Sequence, residues 1–131
     1  MYWFIKTMQE ILIQYHSLEA FWAYCYNTAL AANRPLMGVF HEEFFSFFPQ
    51  IPPRTRRHIS NPEKGGSCKR LYMYLRWTIR NGPVDVGSMN FMPASQIYIP
   101  LDVHVARQSR KLGLITRKQN DWKAVEELQE Q

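Results

Sequence analysis

Apolar residues recur at helical spacing from one end of this chain to the other, and that recurrence most narrows what it can fold into. Between residues 2 and 15, Phe4, Ile5, Met8, Ile11, Leu12 and Tyr15 fall at intervals of three and four, which makes one stripe along a helix. Ser17 can cap a second helix that buries Leu18, Phe21, Trp22 and Cys25 and ends before Asn33-Arg34-Pro35. Joined by so short a link, the two should form a hairpin. His41 to Phe48 predicts a short helix that is apolar around most of its circumference and is stopped by Pro49, Pro52 and Pro53.

Residues 49–66 carry four prolines and two glycines and read as an ordered loop leading into a helix at Lys69, with Ser67 as its cap. Leu71, Tyr74, Leu75 and Thr78 form one face of that helix. Lys69, Met73, Arg76 and Arg80 form another, until Asn81-Gly82-Pro83 stops the helix. Residues 84–99 show no clear period, although Ile97-Tyr98-Ile99 can be extended. A helix opened by Asp102 is expected to bury Val105, Ala106, Ser109 and Leu112 and to end at Gly113; Asn120 caps a last one with Trp122, Val125 and Leu128 on its face. There is no repeat, low-complexity tract or credible strand pair. The expectation is an all-α domain over residues 1–131, large enough at 46% hydrophobic content to bury a core. Met1 sits directly in an amphipathic helix and the last helix runs to Gln131 without a cap, so the chain reads as a partial domain.

Charge is concentrated in the middle. Residues 54–80 hold eight basic side chains against Glu63 alone, a local excess larger than the +5 of the whole chain. Interleaved with Tyr72, Tyr74 and Trp77, this stripe suits a phosphate backbone, and a solvated basic face is the plainer alternative. The same aromatic residues, at helical spacing, serve equally as core.

Cys25 and Cys68 lie far apart with no CxxC partner, which argues against a disulfide framework, a structural zinc or a four-cysteine cluster and for a reducing, cytoplasmic compartment. His16, His41, His58 and His104 have no metal-ligand spacing. No metal and no cofactor is expected. No apolar stretch reaches the roughly 20 residues that a membrane crossing needs, so no membrane partner is expected either.

Two residues carry chemistry. Lys69, in the first turn of its helix, feels the positive end of the backbone dipole and the charge of Arg70; partial desolvation would further favour the free amine, a nucleophile toward an electrophilic carbon such as a sugar C1′. Asp102, 33 residues later, opens a helix and can stabilise a developing positive charge or help move a proton. Each also has an ordinary role, the lysine as a surface cation and the aspartate as an N-cap. His104 can face a phosphate, with Arg107 on the same helix face, and Cys68 near a helix start would favour its thiolate.

At these residues the sequence resembles the bacterial family of domain of unknown function 2400, a distant relative of the helix-hairpin-helix DNA glycosylases. The resemblance runs through Arg54-Thr55-Arg56-Arg57-His58-Ile59-Ser60-Asn61-Pro62, Gly66-Ser67-Cys68-Lys69-Arg70-Leu71 and Pro93-Ala94-Ser95-Gln96. It continues through Pro100-Leu101-Asp102-Val103-His104-Val105 and Arg117-Lys118-Gln119-Asn120-Asp121-Trp122-Lys123-Ala124-Val125. It implies a helix-hairpin-helix glycosylase-like helical array in which Lys69 and Asp102 fall on the catalytic lysine and aspartate positions. The 33-residue interval looks more like the archaeal oxoguanine branch than the endonuclease III branch. Arg54, Arg56, Arg57, Lys64, Arg70, Arg76, His104 and Arg107 are then the expected DNA contacts, with an extruded base held between helical lobes. Only Gly65-Gly66 stands where such relatives have a Gly-x-Gly hairpin tip, and the iron–sulfur cysteines of some are missing. Relatives continue past both ends, so one lobe and part of the base pocket are expected to be absent.

The leading expectation is a base-excision repair domain acting on a damaged purine, with Schiff-base lyase activity through Lys69. A nonenzymatic nucleic-acid-binding helical module and an inactive fragment are the alternatives.

Overall fold

Ser17 caps a helix as its position suggests, and the corner it makes sets the arrangement of the first half of the chain. The computed structural model describes residues 2–80 and 87–130, and among them the regular structure is helical with no strand. Helices α1 (Tyr2–Tyr15) and α2 (Leu18–Ala32) are separated by two residues. His16 takes a left-handed backbone (φ 69°), and the Ser17 hydroxyl oxygen accepts the Ala20 N–H at 3.0 Å. The helices pack together, with the Tyr15 ring against Phe21 at 5.2 Å. Asn33, left-handed at φ 52°, then closes α2 by giving its N–H to the last carbonyls.

The buried line of α1 is narrower than its apolar stripe. Ile11 and Thr7 are fully buried, whereas Ile5 and Leu12 are about half exposed, because α1 meets rings such as Phe44, Phe45 and Phe48 along one side only. The Thr7 hydroxyl donates to the Trp3 carbonyl at 2.8 Å, so its burial leaves no unmet polar group.

Helix α3 (Leu36–Ser46) begins five residues before the expected His41. Pro35 stands at its boundary, where a fixed φ and a missing N–H cost little, and its carbonyl accepts from Gly38 and Val39. Met37, Val39, Phe40, Phe44 and Phe45 are all buried, and Phe40 lies on Trp22 at 3.9 Å with the rings 7° apart. A methyl group on Gly38 would come within 2.6 Å of Glu63, so this glycine allows the following loop to approach α3. Arg34 fastens that corner by bonding Glu42 and Glu63, each at 2.7 Å.

The proline-rich loop contains one turn of helix, α4 (Pro53–Arg56), and a 3-10 turn at Pro62–Lys64. Helix α5 (Lys69–Ile79) follows; the expected stop at residues 81–83 lies outside the described residues. Its buried line is Tyr72, Leu75 and Ile79, flanked by half-buried Leu71, Tyr74 and Thr78, one position round from the expected face. Trp77 points outward, half exposed.

After a 3-10 turn at Ala94–Gln96 come α6 (Val103–Lys111) and α7 (Trp122–Gln129). Ala106 and Ser109 are buried in α6 and Val105 is half-buried, but Leu112 is 73% exposed, against expectation. Helix α6 has already ended there, since Gly113 (φ 76°) turns the chain away. Asn120 is not the cap of α7. Its side-chain oxygen is taken by Arg110 at 2.7 Å, and Asp121 caps the helix by accepting the Ala124 N–H. Buried side chains from α1, α2, α3, α5, α6 and α7 join in one apolar cluster, to which α4 contributes none. No helix among the described residues is long and apolar enough to cross a membrane.

Candidate functional site

The approach to α5 is built by short-range bonds that leave its first residue facing solvent. Asn61 caps the 3-10 turn through its side-chain oxygen, and its carbonyl accepts the Gly66 N–H at 3.0 Å. Gly65 is left-handed (φ 94°), and a methyl group on Gly66 would lie 3.1–3.2 Å from Ser60 and the Asn61 backbone. The Gly65 carbonyl accepts the Trp122 N–H at 2.8 Å, so the turn is tied to the start of α7. Ser67 does not cap α5. Cys68 occupies the boundary instead, left-handed at φ 58° and without a side-chain cap bond.

That placement overturns the expected thiolate. Cys68 is 1% exposed and burial pushes its thiol up to about 12, as burial first and the charge of Glu43 second do for Cys25. Lys69, the next residue, is exposed, so the expected desolvation is absent. Arg70 and Arg76 are exposed as well.

Asp102 opens α6 between buried Leu101 and the helix, and its carboxylate oxygen accepts the Val105 N–H at 2.7 Å. This bond does most to hold its carboxyl below the usual range. The charge of Lys69 comes next among the lowering influences, followed by the charge and backbone N–H of His104. Lys69 and Asp102, far apart in sequence, are therefore electrostatic neighbours, with His104 and Arg107 exposed on the same helix as the aspartate.

A second group gathers near α4. Arg56, Arg57 and Lys64 line a depression of about 470 Å³ with His41, and neither Lys69 nor Asp102 lines it. Arg57, Lys64 and the nearby Arg54 are exposed. Arg56 is tied to the protein, donating to the carbonyls of Pro49 (2.8 Å) and Ile51 (3.1 Å) with its guanidinium 5.5 Å from the Phe45 ring centre. Burial first, then the charge of Lys64, push the His41 imidazole down, against a hydrogen bond with the Arg56 backbone that raises it. Among the described residues no three His, Cys, Asp or Glu side chains gather as a metal-ligand set.

The sequence gives no sign of a third feature, a cavity of about 400 Å³ between α2, α5 and α7. Tyr72, Tyr98 and Trp122 line it with their rings parallel within 16° and their centres 5.0–6.0 Å apart. Helical spacing marks Trp122 as a core residue, but no local pattern brings residues 72, 98 and 122 together.

No curated protein and no solved structure matches the chain significantly. Residues 1–131 match the family described as Protein of unknown function (DUF2400), and the chain belongs to that family.

Proposed function

We propose that the chain is a DNA glycosylase-like module in which Lys69 and Asp102 act together at C1′ of a damaged purine nucleotide. The observation that carries this reading is that Lys69 and Asp102, separated by 33 residues of sequence, stand at the openings of α5 and α6, the lysine exposed to solvent, and the lowering of the Asp102 carboxyl by the Lys69 charge agrees with it. The lysine and aspartate motifs support it, as does the order of α4, the Gly65-Gly66 turn and α5, which is the order a helix-hairpin-helix requires. Arg54, Arg57 and Lys64 supply exposed cations for phosphates, where counterion release makes binding salt-dependent.

In the proposed step the unprotonated Lys69 amine donates its lone pair to C1′ while the C1′–N bond to the base breaks; the base leaves with the electron pair of the broken bond and takes up a proton shed by the lysine nitrogen. Opening of the C1′–O4′ bond, with a proton passing from the lysine nitrogen to O4′, leaves a Schiff base. Asp102 stabilises the positive charge that develops at the sugar and relays protons. One observation favours the nonenzymatic alternative: an Asp102 oxygen is already committed to the Val105 N–H as a helix cap.

Borohydride trapping on duplexes with an abasic site or a damaged purine tests the chemistry. Wild-type protein should give a covalent adduct, and Lys69→Gln should abolish it while leaving binding nearly intact. Asp102→Asn should slow base loss and keep the cap, since asparagine also caps helices. Arg54→Ala with Arg57→Ala should flatten the slope of log K against log salt by about 1 to 2 units. Salt-dependent binding without any adduct on either duplex would leave the nonenzymatic module as the correct reading.

A further inference from the structure

Glu63, the one carboxylate among the basic residues of the 54–80 stripe, stands directly before Lys64, Gly65 and Gly66, and it is not a loose counter-charge. Arg34 reaches it from the corner between α2 and α3, with Nη2 at 2.7 Å from one carboxylate oxygen and Nε at 3.3 Å from the other. Its Nη1 bonds Glu42 at 2.7 Å, so the guanidinium is held from both sides. The Arg34 backbone is fixed as well, because its N–H closes α2 on the Ala29 carbonyl and Pro35 follows it.

Helix α3 leaves room for this bond. The Glu63 carboxylate passes over Gly38, where a methyl group would meet its Oε1 at 2.6 Å.

We propose that Arg34 and Glu63 are positioning residues, whose ion pair sets where the Lys64-Gly65-Gly66 turn meets a nucleic-acid backbone. This rests on the DNA-binding part of the reading above and not on Lys69 chemistry. Bonds within the turn give it its shape, since Asn61 accepts the N–H groups of Glu63, Lys64 and Gly66 at 3.0–3.1 Å. They do not fix it to the body of the protein. Arg34 does so on one side, through Glu63, and the Trp122 N–H on the other, at 2.8 Å from the Gly65 carbonyl. Exposed Lys64 lies between these two anchors, so both decide where its ammonium can meet a phosphate. An ion pair this open to solvent, with side chains 32% and 38% exposed, adds little to global stability. Its effect is local.

Two substitutions separate position from charge. As a bare charge, Glu63 repels DNA, and Glu63→Ala would strengthen binding; as half of the positioning pair, its loss weakens binding. Gly38→Ala changes no charge and puts a better helix former into α3, while its methyl group displaces the Glu63 carboxylate from Arg34.

The whole chain is titrated into a fluorescent duplex over a range of salt concentrations, alongside thermal melts. Glu63→Ala and Gly38→Ala should each weaken binding about tenfold at a nearly unchanged melting temperature, and flatten the slope of log K against log salt by up to about 1 unit as the Lys64 contact is lost. In a Lys64→Ala background neither substitution should weaken binding further, because the group that they position is gone. Binding by Glu63→Ala that equals or exceeds wild type overturns the proposal, and so do losses that persist undiminished in the Lys64→Ala background. In both cases the DNA-binding reading stands. A wild-type chain that binds no duplex at low salt overturns that reading, and the positioning role with it.

Discussion

Cys68 sits immediately before the Lys69 helix, and its reactivity reports whether that helix start is packed as described. An unperturbed thiol near 9.0 is about one-tenth thiolate at pH 8, whereas one pushed up to about 12 is about one ten-thousandth thiolate. The native route to modification is thus slowed about 1,000-fold, before counting the 1% exposure that keeps a reagent away. The other route runs through local opening, where the thiol regains its ordinary acidity but the open population is small. An opening that costs about 4 kcal/mol gives a similar factor of about 1,000. The faster route sets the observed rate, so Cys68 and Cys25 should both react about three orders of magnitude more slowly than free cysteine. Dithionitrobenzoate at pH 8 should titrate almost no thiol in the native protein and two after guanidinium denaturation. Labelling of Cys68 within tenfold of the free-cysteine rate, located by peptide mass, would refute the packing of this helix start.

Two further outcomes follow from the packing. Leu75→Ala, at a side chain with 0% exposure in the centre of α5, should destabilise by about 3 kcal/mol and lower the urea midpoint at unchanged slope. Asp121 is held down to about 2, chiefly by its bonds from Arg117. Its folded value lies below the ordinary 3.8, so its stabilising contribution is complete above that pH and is lost as pH falls toward about 2. Asp121→Asn keeps an acceptor for the cap, and its melting temperature should fall less steeply than that of wild type across this window.

The helical class was legible because α1, α2 and α7 obey a three-and-four spacing that few other structures produce. Boundaries failed where a neighbour in space decided the local outcome. Asn120 and Asp121 are both capping residues, and Arg110, ten residues away from Asn120, settles the choice by taking the asparagine. Ser67 is the better intrinsic cap, but burial of Cys68 sets the register of α5. The cations of the 54–80 stripe were legible as composition; that Arg56 is bonded to the carbonyls of its own loop was not. That the Lys69 charge acts on the Asp102 carboxyl depends on the folded chain; sequence contributed two helix openings and a motif. The aromatic cavity left no sequence signal, because Tyr98 lies in a segment without period and meets Tyr72 and Trp122 only in the folded chain.

The claim that Lys69 is the nucleophile is tested most directly by locating the covalent bond. Wild-type protein is reduced with borohydride in the presence of an abasic-site duplex, digested, and sequenced by mass spectrometry. The account predicts a sugar remnant on the Lys69 side chain, present in wild type and absent after Lys69→Gln. A remnant on another lysine or on an amino terminus, or an adduct that forms at the wild-type rate in Lys69→Gln, would contradict it.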